Sequence, residues 1–98
     1  MKDVTIVNFI NILRKTFDIS QVEVIDLWEA DTCAIGIKKE DKLVYISTYN
    51  YCQNNIISYD FDFEIINENK LEVIKKRRNI TEKELLNEIK FFFDLREC

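Results

Sequence analysis

Residues Ser58–Ile66 read Ser-Tyr-Asp-Phe-Asp-Phe-Glu-Ile-Ile and alternate without a break. Tyr59, Phe61, Phe63 and Ile65 share one parity; Asp60, Asp62 and Glu64 share the other. Successive side chains of an extended strand point to opposite faces, so the aromatics face a core and the carboxylates form a row behind them. The row has a spacing of about 6.6–6.8 Å, two residues at the usual strand rise. That is close to the separation of successive phosphates on a nucleic-acid strand. Such a row attracts the lysines and arginines of a basic protein, including those lining a nuclease groove. It could also supply oxygen ligands to Mg²⁺ or Mn²⁺ if further carboxylates converged on it, and none is recognisable. The plain alternative is a solvated strand face neutralised by Lys76 and Arg78 of the next strand.

A second candidate precedes that strand. Tyr49-Asn50-Tyr51-Cys52-Gln53-Asn54-Asn55 combines tyrosines, which offer rigid contact area with a polar tip, with amides that adapt their hydrogen bonds. Its other reading is that Tyr49 and Tyr51 fold back over the edge of the core. Lys75-Lys76-Arg77-Arg78 is the dense basic run; in an acidic chain it reads as a solvated strand end before it reads as a phosphate site. Cys52 has no visible base beside it, so a catalytic thiol is not expected.

Composition narrows the chemistry. The 98 residues contain no histidine, one glycine and no proline. Histidine-based nucleophilic and acid–base catalysis, histidine-ligated zinc, phosphate loops and dinucleotide fingerprints are therefore excluded. A net charge of −4 disfavours nucleic acid and anionic membranes and favours a protein partner with a positive patch. Cys33, Cys52 and Cys98 are odd in number and far apart in sequence, which reads as reduced thiols in a cytosol. No secretory signal or membrane span is evident, and a cytoplasmic location is expected.

The elements that must position these residues follow from periodicity. Val7, Ile10, Leu13 and Phe17, flanked by Ile6 and Phe9, predict a helix over about 4–17 with Asp3 as its cap. Gln21–Trp28 has strand content. Cys33–Lys38 and Leu43–Thr48 predict a hairpin around a four-residue turn, Lys39–Lys42. Apolar bulk on both faces of Leu43–Thr48 predicts a central strand. Tyr49–Ile57 reads as a loop. Ser58–Ile66 pairs with Leu71–Lys76 through Asn67–Lys70, with Ile65 facing Val73, Phe63 facing Lys75, Asp62 facing Lys76 and Asp60 approaching Arg78. That register requires a bulge in the turn. Thr81-Glu82-Lys83-Glu84 is a capping box with an Ile80–Leu85 staple, opening a helix to about Leu95. Phe91-Phe92-Phe93 span about 200° of that helix, so Phe91 is expected at the surface.

The result is one domain, 1–98, of the α+β class. It has an N-terminal helix, about five mainly antiparallel strands and a C-terminal helix, with both helices on one sheet face. The other face is expected to be open and polar. The leading helix, the stretch Lys42-Leu43-Val44-Tyr45-Ile46-Ser47-Thr48-Tyr49, the acidic-aromatic hairpin and the capped closing helix together resemble small bacterial immunity proteins. Those neutralise toxins, often nucleases, of contact-dependent and other polymorphic toxin systems. The resemblance implies a non-enzymatic inhibitor with no cofactor or metal. The candidate partner-binding residues, read from the chain itself, are Asp60, Asp62, Glu64, Tyr49, Asn50, Tyr51 and Gln53. A phage-encoded inhibitor of host defence, such as an anti-CRISPR protein, is the alternative within that class. A small metal-dependent enzyme using Asp60, Asp62 and Glu64 is the alternative outside it, and a homo-oligomeric module joined through Phe91 and the open sheet face is a third.

Overall fold

A computed structural model describes residues 2–26 and 29–97. The chain runs α1 (Val4–Thr16), β1 (Glu23–Ile25), β2 (Ala34–Lys39), β3 (Lys42–Ser47), β4 (Tyr59–Asn67), β5 (Lys70–Ile80) and α2 (Glu82–Phe93). The strands form one antiparallel sheet in the order β1-β2-β3-β4-β5, so β3 is central, as its two apolar faces require. This is the expected α+β arrangement. The strand content predicted over 21–28 is realised as β1, and Leu27 and Trp28 lie outside the described residues.

Both helices pack on one sheet face. Ile6, Phe9, Ile10 and Leu13 of α1 and Leu85, Ile89 and Phe93 of α2 meet Ile35, Ile37, Val44, Ile46, Tyr59, Phe61 and Phe63. Each set of strand residues has a single parity, which is the period-2 pattern of a half-buried sheet. Aromatic contacts tie the layers together. Phe92 stacks on Phe63 with ring centroids 4.1 Å apart and planes 3° from parallel, and Phe9 meets Tyr59 at 5.1 Å. Val7 shares the helical spacing yet is 43% exposed, because Ile6, Phe9, Ile10 and Leu13 already fill the arc facing the sheet.

The ends of both helices are built as their sequences require. Asp3 accepts from the Thr5 amide, and the Thr5 hydroxyl shares a buried 2.7 Å hydrogen bond with Thr48, tying α1 to the end of β3. Thr81 accepts from the Glu84 amide at 3.1 Å while Glu84 accepts from the Thr81 amide at 3.3 Å, completing the capping box. Helix α2 stops at Phe93, earlier than Leu95, because Asp94 takes a left-handed conformation. Its exposed carbonyls are met by lysines: Lys39 donates to Phe93 at 2.7 Å and Lys42 to Phe92 at 3.0 Å. This gives the charged β2–β3 connection a structural use, since cations are stabilised at a helix C-terminus.

Register departs from expectation at the turns. Lys39 pairs with Lys42 and Asn67 with Lys70, so each turn closes over two residues instead of four. In the second turn Glu68 and Asn69 both have positive φ, 49° and 69°, the geometry that matches the twist of the flanking strands. Phe63–Lys75 and Asp62–Lys76 pair as expected, but Val73 lies opposite Glu64 and Ile65 opposite Glu72. The extra residue is Ile74, inside β5, because the tight turn leaves no room for a bulge. A second irregularity lies farther along, where Tyr59 pairs with Ile80 and Phe61 with Arg77. Arg78 and Asn79 then both stand across from Asp60, and Asn79 adopts φ 56°. Asparagine tolerates that conformation better than most residues.

Candidate functional site

Pairing places Asp60, Asp62 and Glu64 beside Ser47, Tyr45 and Leu43 of β3, on the face away from the helices. That face is not uniformly open, contrary to expectation. Ala34, Leu43, Ser47 and Asp60 are all buried on it. Over the Ser47–Asp60 end the cover comes from the loop after β3.

The three carboxylates are sorted into three different states. Asp60 is 8% exposed, and its Oδ1 accepts from the Tyr51 hydroxyl at 2.7 Å and from the Asn79 amide at 3.0 Å. The β5 irregularity supplies that amide, which the buried carboxylate satisfies. Asp60 hydrogen-bonds with Asn79 and Tyr51; Arg78 approaches it as expected but forms no hydrogen bond with it. Arg78 instead bridges Asp62 at 2.9 Å and donates to the Phe61 carbonyl at 3.0 Å. The Glu64 side chain is half-buried and its carboxylate forms no hydrogen bond or salt bridge among the described residues. Burial, and then the neighbouring Asp62, push its carboxyl above the usual range, with Lys76 opposing them. It is the carboxylate whose charge the fold relieves least.

The loop is ordered by its own turns. The Tyr51 amide donates to the Thr48 carbonyl at 2.8 Å, and the Asn54 amide to the Tyr51 carbonyl at 2.9 Å. The Asp60 carboxylate, through its hydrogen bond, raises the pKa of the Tyr51 phenol, which stays protonated as a donor. With Tyr51 pinned, Tyr49 stands 70% exposed, and Asn50 and Gln53 are exposed beside it. Sequence reasoning passed over Ile56, which is 82% exposed while Ile57 packs against the core. The available signal was the Ile56-Ile57 pair itself, since adjacent residues seldom both reach one core.

Three of the four cations of the basic run make internal ion pairs. Lys75 bridges Glu88 at 2.9 Å, Arg77 bridges Glu84 at 3.1 Å and Glu88 at 3.3 Å, and Arg78 is held by Asp62. Lys75 and Arg77 share the helical face with Phe63 and Phe61, which is why they reach α2. Among the described residues no group of three or more histidine, cysteine, aspartate or glutamate side chains converges to hold a metal ion. A cleft of about 440 Å³ between α1 and the start of α2, lined by Asn8, Ile12, Ile56, Tyr59 and Lys83, lies on the helical side, away from the carboxylates. Burial, with Glu82 nearby, pushes the Tyr59 phenol there up to about 12.

Among the described residues no helix is long and apolar enough to cross a membrane. Comparison with protein-family models, with curated proteins and with solved structures finds no match to this chain.

Proposed function

We propose that this chain is a non-enzymatic, cytoplasmic protein inhibitor that binds and occludes a basic, nuclease-type partner. The observation that carries the reading is the Tyr51–Asp60 hydrogen bond, which joins the tyrosine loop to the acidic strand as one surface. On that surface Tyr49 is the exposed aromatic anchor, with Asn50 and Gln53 as polar contacts around it. Glu64, with Asp62 close enough to act on it electrostatically, is the place where a lysine or arginine of the partner gains most, because its arrival offsets charge that the fold leaves uncompensated. Asp60 holds the loop and does not touch the partner. Binding across a positively charged active site then blocks access of nucleic acid by occlusion, and charge complementarity speeds the encounter. The test is co-purification from the native host lysate at low and high salt, followed by assay of the retained protein. A basic protein that cleaves nucleic acid, is inhibited by the wild-type chain, and is released by a folded Tyr49→Ala/Glu64→Gln variant supports the reading. A retained protein without nuclease activity, or a nuclease bound but uninhibited, overturns it.

A further inference from the structure

The cleft of about 440 Å³ between α1 and the start of α2 is large enough for a small organic ligand. Part of its lining is apolar: Ile12 comes from α1, and Ile56 and Ile57 come from the segment leading into β4. The polar groups around them divide into spent and unspent. The Thr5 hydroxyl is bonded to Asp3 and Thr48, and the Thr81 hydroxyl to Glu84. Tyr59 is different. It is 4% exposed, its ring packs on Phe9, and its hydroxyl forms no hydrogen bond among the described residues. No buried side-chain oxygen among them lacks a partner, so this hydroxyl is not sealed in the core and opens on the cleft that Tyr59 lines. Glu82, also at the cleft, is half-buried, and its carboxylate forms no hydrogen bond or ion pair among the described residues. The cap of α2 does not need it, since Thr81 and Glu84 complete that cap.

We propose that this cleft binds a small organic amine, in its ammonium form, with a branched aliphatic body. The ammonium donates to the Glu82 carboxylate and to the Tyr59 hydroxyl oxygen, two groups that the fold draws partly or wholly out of water and leaves without a partner. The aliphatic body lies against Ile12, Ile56 and Ile57 and covers apolar surface that is otherwise open, Ile56 being 82% exposed. The sign of the ligand's charge follows from Glu82. Its negative field reaches the Tyr59 phenol, where it favours an arriving cation and repels a carboxylate. Lys83 also lines the cleft, but it is exposed, and solvent and salt screen its opposing charge. The cleft lies across the sheet from the carboxylate row, so the inference stands whether or not that row binds a basic protein.

The test titrates 3-methylbutylamine, 3-methylbutanol and 3-methylbutanoate, which share one branched body, into the full-length chain at neutral pH and follows amide chemical shifts. The amine is expected to shift Asn8, Ile57, Tyr59 and Glu82 saturably. It should bind roughly three- to tenfold more tightly than the alcohol, with the carboxylate weakest. Glu82→Gln is expected to remove the preference for amine over alcohol. Tyr59→Phe should weaken the amine roughly threefold while keeping the ring against Phe9. Unchanged shifts away from the cleft show that each variant is folded. No saturable shift at the cleft with the amine overturns the proposal, as does equal affinity for amine and alcohol or a preference that survives Glu82→Gln. Tighter binding of N-acetyl-lysine methylamide than of the free amine assigns the cleft to a protein lysine and overturns the small-molecule ligand.

Discussion

The Tyr51 hydroxyl donates to the Asp60 carboxylate across 2.7 Å, and the same carboxylate oxygen accepts from the amide of Asn79. One buried aspartate thus ties a loop and an irregular strand together. Hydrogen bonds to charged groups contribute about 1.5–3 kcal/mol, so Tyr51→Phe is expected to destabilise the chain by about 1–2 kcal/mol in urea unfolding. Hydrogen exchange across 49–57 should accelerate while the core strands stay protected. A uniform acceleration over the whole sheet would show that the bond does not act locally.

Glu64 makes a prediction with a definite sign. Its carboxyl is pushed up in the fold, so the folded state holds the proton more tightly than the unfolded chain. The stabilisation that proton provides is fully present below the unfolded value, about 4.3. It is lost as pH rises through the raised folded value. Glu64→Gln should therefore look most favourable, relative to wild type, near neutral pH. Thermal unfolding of both proteins should show that advantage shrinking as pH falls below about 4. An advantage that grows on acidification would contradict the assignment.

The capping box at the start of α2 is a separate, local contribution. Thr81→Ala is expected to cost about 1 kcal/mol. Thr81→Ser should cost much less, because the oxygen that accepts from Glu84 is retained. Chemical unfolding of the two variants measures the difference directly.

The far end of α2 depends on Lys39 and Lys42. Replacing either with Met keeps most of the aliphatic stem but removes the donor and charge beside the Phe93 and Phe92 carbonyls. Each change should lower stability by about 0.5–1 kcal/mol, with part of that effect screened at high salt. A loss indifferent to salt would assign it to packing of Lys42 against the Phe92 ring instead.

Tyr59 can be read by ultraviolet titration. Its phenol is pushed up to about 12 by burial and by Glu82. Neutral Tyr59 favours the fold below about 10, and that contribution is lost as pH rises through about 12. A late step in tyrosinate absorbance should disappear in Tyr59→Phe. If the late step remains in that variant, another tyrosine is responsible.

Much of the architecture was legible in the residues because it rests on short-range periodicity. The Tyr59–Ile65 alternation separates core from carboxylate face, the Ile6–Leu13 spacing orients α1, and Thr81-x-x-Glu84 sets the start of α2. In each case the pattern repeats within one element, and burial of its apolar side leaves one orientation. Phe91 is 75% exposed for the same reason: three adjacent residues cannot all fit one helical face.

The fate of the carboxylates was not legible in that way. Their shared parity follows from the sequence, but their partners depend on where β5 adds a residue. A two-residue turn at Glu68-Asn69 moves the bulge to Ile74, and the irregularity at Arg78-Asn79 gives Asp60 an amide and Asp62 an arginine. Bulge position is chosen by turn closure and by contacts with α2 and the loop, all of which are long-range. The Tyr51–Asp60 bond has the same origin. The sequence by itself determined the elements, their inward faces and the helix caps, because local spacing and burial decide them. Tertiary structure alone decided which charges are spent internally, because that outcome depends on segments that only folding brings together.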